Sequence, residues 1–286
     1  HGAVVIVEPE KGRTARMDQE LERKLQEYKD SLSEEEVKEL VERTRGLEAY
    51  QSEEDSEEDL NRIPVLKRED ISRDIEPILN EEMSFAGAPA VFHDIETNGI
   101  GYVDILFDLS GIPEEEVPYV GILQTALGII DTENYGYGEL FNEINMHTGG
   151  IGTTLELYSD VTDVRSKAFR ATLEIKAKAL YNKLPVAFDM MGEILTASKL
   201  DDTKRLKEIL GMAKSRLLMR FQSAGHLTAA LRAMSYSSPS ARFKDMTNGI
   251  AFYEKIADIE EHFEEQKEAL VQHLQHLVKQ LFRPDN

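Results

Sequence analysis

The 286 residues are 41% hydrophobic and contain no cysteine, and 54 acidic side chains stand against 33 basic ones for a formal net charge of -21. The missing thiols exclude disulfides, thiolate nucleophiles and cysteine-ligated metal sites, while no segment approaches the roughly 20 consecutive apolar residues that a membrane helix needs. The expectation is a soluble protein with no nucleic-acid or membrane partner, since its charge repels a phosphate backbone and favours cationic partners such as basic peptides.

In chain order, residues 1–12, "HGAVVIVEPEKG", hold an apolar run too short for a signal peptide, with no basic stretch before it and no initiating Met. They read as a β-strand severed from a preceding unit. Residues 13–64 read as a helical hairpin linker. Its two helices, "MDQELERKLQEYKDSL" and "SEEEVKELVERTRGLEAY", are separated by a break at Ser31 to Ser33. Ser33 followed three residues later by Glu36 has the form of a capping box. The apolar stripes are thin, with Leu21, Leu25 and Tyr28 on the first helix and Val37, Leu40, Val41 and Leu47 on the second. Such helices build no core alone. The acidic run "QSEEDSEEDLNRIP" then reads as an exposed connection.

Residues 65–286 read as an α+β domain. Two apolar runs flank Thr97-Asn98-Gly99, a hairpin signal because Asn and Gly accept positive φ. "PEEEVPYVGILQTALGII" predicts a helix with Pro113 and acidic residues in its first turn, and "YGELFNEINMHT" a second one, ending at Gly149-Gly150. "IGTTLELYSD" and "SKAFRATLEIKAKAL" alternate as strands do. From there the pattern is helical over about 185–198, 202–234 and 258–282. This order predicts a mainly antiparallel sheet with helices packed on one face.

The chemical motifs are sparse. Neither H-x-x-E-H nor H-E-x-x-H, the patterns that set two imidazoles one helical turn apart beside a glutamate base, occurs. The nearest approach is "DIEEH", where Asp258, Glu261 and His262 keep the H-x-x-E-H spacing with Asp258 in place of the first histidine. A carboxylate can ligate zinc, yet the surrounding residues read as an ordinary amphipathic helix with Ile256, Ile259 and Phe263 inward. His273 and His276 share one helix face but lack a third ligand, and His147 and His226 read as structural. Ser223, Ser235 and Ser237 lack a G-x-S-x-G turn. The clustered glycines of "NGIGYVD" and "HTGGIGTT" lack phosphate-loop spacing and read as turns.

One long stretch, "GYVDILFDLSGIPEEEVPYVGILQTALGIIDTENYGYGELFNEINMHTGGIGTTLELYSD", resembles the third structural unit of the presequence-protease branch of the pitrilysin/insulinase superfamily of zinc metallopeptidases. Asp131-Thr132, the "YGELFNEI" helix with Glu139 and Leu140, and Thr148-Gly149-Gly150 leading into a strand carry the resemblance, as structural rather than catalytic residues. The opening strand and hairpin resemble the end of that family's second unit and the linker between its halves. The resemblance implies units of the LuxS/mitochondrial-processing-peptidase-like metallohydrolase fold, four in all, closing around a peptide, with zinc held in the first. By order of elements, the "YVGILQTALG" helix corresponds to the zinc helix and carries Val120, Leu123 and Gln124 where ligands or base stand.

The same resemblance implies a chain with no catalytic residue, metal ligand or cofactor of its own, inactive alone, forming part of the wall of the peptide chamber of a zinc-dependent oligopeptidase. Its implied partners are the missing catalytic half of the same protein and peptide substrates of basic character. Its implied location is the bacterial cytoplasm or an organelle matrix, and the surface normally buried against the other half favours self-association. The alternatives are a stand-alone peptide-binding or scaffold subunit acting with a separate catalytic chain, and a metalloenzyme built on Asp258, Glu261 and His262.

Overall fold

The computed structural model describes residues 10–74, 77–85, 87–160, 162–163 and 166–283. The severed strand read at 1–12 lies, through residue 9, outside the described residues. The chain divides into two units, residues 1–76 and 77–286.

The first unit is helical. α1 (Arg13–Ser31) and α2 (Glu34–Ser52) are each 19 residues long, and a short α3 (Glu57–Leu60) follows. The break falls where Ser33 competes for the backbone. Its Oγ accepts the Glu36 N–H at 3.3 Å, and Glu36 Oε2 accepts the Ser33 N–H at 2.8 Å, so two orphan donors are satisfied reciprocally. Neither long helix buries a residue, and Leu21, Leu25 and Tyr28 remain more than half exposed.

The second unit opens with a hairpin, β1 (Glu81–Phe85) and β2 (Ala88–Phe92), paired from Glu81↔Phe92 to Phe85↔Ala88. The predicted turn after it is present. Asn98 (φ 53°) and Gly99 (φ 80°) are left-handed, and the Ile100 N–H donates to Thr97 O at 3.2 Å. Its flanks, however, do not pair with each other as the turn signal predicts. β3 (Ile100–Asp108) instead joins β5 (Arg170–Leu180), because Ile105 and Phe107 then lie opposite Ile175 and Leu173, an apolar match the short, exposed β2 cannot offer.

The main sheet is antiparallel in the order β3-β5-β4, with β4 (Ile151–Tyr158) on the edge. Its apolar face is covered by helices: α4 (Val117–Ala126), α5 (Tyr137–His147), α6 (Leu184–Thr196), α7 (Thr203–Ser223), α8 (Gly225–Ser235), α9 (Pro239–Asn248), α10 (Ile250–Glu261) and α11 (Phe263–Leu281). The core joins Leu173 and Ile175 of the sheet to Val120 and Leu123 of α4, Ile209 of α7, Ile256 of α10 and Leu274 of α11, all at most 1% exposed. The α+β arrangement predicted from the sequence is the one observed.

Two predicted helices are each interrupted. The one read at 202–234 breaks at Ala224, between Ser223 and Gly225, both poor in a helix interior. The one read at 258–282 breaks at His262, so Asp258 and His262 end α10 rather than lying in mid-helix. α9 has no counterpart among the predicted elements. It starts where the Ser238 side chain accepts the Ala241 N–H and Pro239 takes the first helical position. Among the described residues no helix is long and apolar enough to cross a membrane.

Candidate functional site

The residues that carry the sequence resemblance form a structural clasp around α5. Asp131 Oδ1 accepts the Tyr137 N–H at 2.7 Å and its carbonyl accepts the Lys199 N–H at 2.8 Å. Thr132, 1% exposed, bridges to Ser198 and takes the Tyr135 N–H on its hydroxyl at 3.1 Å. Glu139 caps α5 by accepting the Gly136 N–H at 3.2 Å, and Leu140 is wholly buried. At the far end, the Thr148 hydroxyl donates to Ile144 O and accepts the Gly150 N–H, while the Gly149 N–H donates to Lys178 O of β5. Gly150, at φ 124°, takes a conformation that side-chain-bearing residues avoid. Sequence reasoning missed Glu193, whose carboxylate accepts from Asn134 N–H and Nδ2 at 3.1 and 2.9 Å. Burial pushes its pKa up, but these bonds and the Thr132 hydroxyl outweigh that and hold it below the ordinary value.

The metal-like motifs do not converge. Asp258 and His262 pair with each other at 3.3 Å, and Gln266 Nε2 donates to the same carboxylate at 3.0 Å. His273 lies against Glu116 at 2.9 Å and stacks on Tyr119 with ring centres 4.1 Å apart, while His276 is exposed. His147 contacts Lys183 and Glu143, and His226 is exposed on α8. Ser223, Ser235 and Ser237 each donate to the carbonyl three residues back. On α4, Val120 and Leu123 are wholly buried apolar side chains, and Gln124 is spent on a hydrogen bond. Among the described residues no group of three or more His, Asp or Glu side chains could hold a metal ion, so the residues present do not fit a zinc site.

The largest concavity is a cleft of about 800 Å³ between the outer edge of β4, the C-terminal half of α7, α8, and the junction of α9 with α10. Gln124 enters it from α4 and is fixed reciprocally. Its Nε2 donates to Thr153 O at 2.8 Å and its backbone carbonyl accepts the Thr153 hydroxyl at 3.1 Å. α7 supplies Arg216 and Arg220, α8 supplies Leu227 and Leu231, and α9 supplies Lys244. The Arg220 guanidinium donates to Asn248 Oδ1 at 3.1 Å and to its carbonyl, tying the ends of α7 and α9 together. Among the described residues Arg216 and Lys244 have no ion-pair partner, and Glu156 of β4 is the carboxylate facing the same space.

The outer wall is held by a buried charge. Asp245 on α9 is 2% exposed, accepts the Ile250 N–H at 2.9 Å and pairs with Arg232 of α8 at 2.6 Å. Behind β4, Glu174 of β5 is also buried, with Tyr158, Thr172 and Lys176 all bonded to it. Burial alone would raise its pKa. The hydrogen bonds from Tyr158, Thr172 and Lys176 prevail and lower it, and the bond to Glu174 in turn pushes the Tyr158 phenol up to about 12.

A family model described as peptidase M16, subfamily C, associated matches residues 7–259. The chain belongs to this family. It is 34% identical over its whole length to Protein HypA of Clostridium perfringens, of which it covers 29%. It is 23% identical over 98% of its length to presequence protease 1, chloroplastic/mitochondrial, of Arabidopsis thaliana, covering 26% of that protein. Against the mitochondrial presequence protease of Xenopus laevis the figures are 26% identity over 91% of this chain and 25% of the relative. The peptidase-associated chain thus spans between a quarter and a third of the length of these relatives. The resemblance to the presequence-protease branch of the pitrilysin/insulinase superfamily, read from the clasp residues, holds.

Proposed function

We propose that this peptidase-associated chain is the non-catalytic part of a zinc-dependent oligopeptide-degrading metalloendopeptidase and forms part of the wall of its peptide chamber. The family match over residues 7–259, with relatives named presequence protease, carries the reading. The geometry agrees with it: the helix that corresponds by order to a zinc helix spends Gln124 on a strand edge and buries Val120 and Leu123 in the core, leaving a cleft without ligands. Zinc belongs to the catalytic half, the implied partner, which lies outside these 286 residues. The compartment is the bacterial cytoplasm or an organelle matrix, as with the mitochondrial and chloroplastic relatives. Exposed apolar side chains such as Leu21, Leu25, Met219 and Leu227 favour self-association when that half is missing.

The test is hydrolysis of a quenched peptide by this chain with added zinc, alone and after mixing with a separately produced catalytic half. No turnover alone and restored turnover on mixing are expected. Chelator-sensitive turnover by the chain alone, lost on His262→Ala, would overturn the reading.

A further inference from the structure

The charge of the chain is unevenly placed. Whole-chain acidity of -21 points to basic peptides as partners, yet residues 203–248, which form α7, α8 and α9, contain nine Lys and Arg against two acidic residues, Glu208 and Asp245. Asp245 is buried and neutralised by Arg232. The cleft wall therefore presents Arg216, Arg220 and Lys244, with Arg216 and Lys244 exposed and unpaired among the described residues.

The opposite wall is a strand edge. β4 has one neighbour, β5, and its other edge borders the cleft. Thr153 O points away from β5, since it accepts the Gln124 side chain, and in an antiparallel ladder the backbone groups of every second residue face the same way. Leu155, two residues on and lining the cleft, therefore turns its N–H and C=O outward. An exposed strand edge is a template for another strand. Beside it Thr154 Oγ1 is buried without a hydrogen-bond partner, and Leu227, Leu231 and Phe252 give apolar ground for alternate side chains.

We infer that the cleft takes an extended peptide segment bearing acidic side chains, added as a strand along β4 with its carboxylates toward Arg216, Arg220 and Lys244. The inference rests on the peptide-chamber reading and reverses the preference for basic peptides that net charge alone suggests. Backbone pairing supplies sequence-tolerant affinity, and the cations set the sign of the side chains. Glu156 is the one carboxylate that opposes it, placed on the strand rather than on the cationic wall.

The test is fluorescence anisotropy of the 286-residue chain with three labelled ten-residue probes at low salt. One alternates Glu with Val, one alternates Lys with Val, and one is the Glu peptide N-methylated on every second residue. The Glu probe is expected to bind about tenfold more tightly than the Lys probe, and binding should weaken with salt. N-methylation on one set of alternate amides should cost about tenfold and on the other set little, because only one set faces β4. The double variant Arg216→Glu with Lys244→Glu, both exposed positions, should erase the preference without changing the circular dichroism spectrum. Equal or tighter binding of the Lys probe overturns the charge assignment, and indifference to both methylation patterns overturns strand addition. If neither probe binds while the chain still restores turnover to the catalytic half, the inference falls and the chamber role stands.

Discussion

α1 and α11 are both 19 residues long, and both carry apolar side chains at i, i+4 and i+7: Leu21, Leu25 and Tyr28 in one, Leu270, Leu274 and Leu277 in the other. α11 buries all three together with Phe263 and Leu281, whereas α1 buries none. The spacing names the face a helix would bury; only a complementary surface makes the burial happen. α11 finds one in the core around α4 and α10. α1 carries apolar residues in the same rhythm but lies in a unit with 23 acidic and 13 basic residues among its 76, where no core gathers.

Truncating equivalent leucines should separate the two helices most strongly. Leu274→Ala removes a wholly buried side chain and should cost about 2–5 kcal/mol in urea unfolding, from lost transfer energy and the cavity left behind. Leu25→Ala, at a position 59% exposed, should change the same transition by less than about 0.5 kcal/mol. Similar losses at both sites would mean that α1 is packed after all.

The next effect tests the cleft wall. α8 buries no residue of its own, so its attachment depends strongly on Arg232 meeting Asp245. Arg232→Ala should cost about 3 kcal/mol, because it strands a buried carboxylate rather than because the pair itself is strong. Arg232→Ala with Asp245→Asn together should recover part of that loss, and a double variant as unstable as the single one would refute the explanation.

These two regions also show what is legible in the sequence. The capping box at Ser33 and Glu36, the α5 helix, and strands β4 and β5 are written in neighbouring residues, and each forms where local pattern places it. The clasp is legible for the same reason, since Asp131 to Gly150 is one continuous stretch. The partner of β3 is not, because Ile105 and Phe107 are matched by residues of β5 far along the chain, and a good Asn98-Gly99 turn promises a nearer one. The cleft is hidden for a different reason. Its cations lie on three helices and lining residues, and averaging over 286 residues lets the acidic remainder of the chain mask them. Counting charge by helix exposes the contrast.

A smaller effect separates the units again. Ser33→Ala removes the hydroxyl of the capping box and should destabilise α2 by about 1 kcal/mol. Because α2 buries nothing, the loss should appear as reduced helicity and faster amide exchange in α2, with the unfolding midpoint of residues 77–286 unmoved. A shifted midpoint would show the two units to be energetically coupled.

The smallest effect concerns His262, where the zinc-like spacing ends. Its pKa is raised, first by the bond from its ring to the Asp258 backbone carbonyl and then, against some burial, by the negative charge of Asp258 and its acidic neighbours. The sign follows from the direction. A histidine that binds its proton more tightly when folded contributes stability that is fully present below the ordinary value of 6.5 and is lost as pH rises through the raised value. The side chain is exposed, so the visible change is in the titration of the ring and not in the unfolding curve. Followed by NMR, Asp258→Asn should bring the midpoint only part-way back, because the carbonyl remains, and added zinc should leave the wild-type curve in place. A curve displaced by zinc would restore Asp258, Glu261 and His262 as a metal site; an unmoved one leaves them as the hinge between α10 and α11.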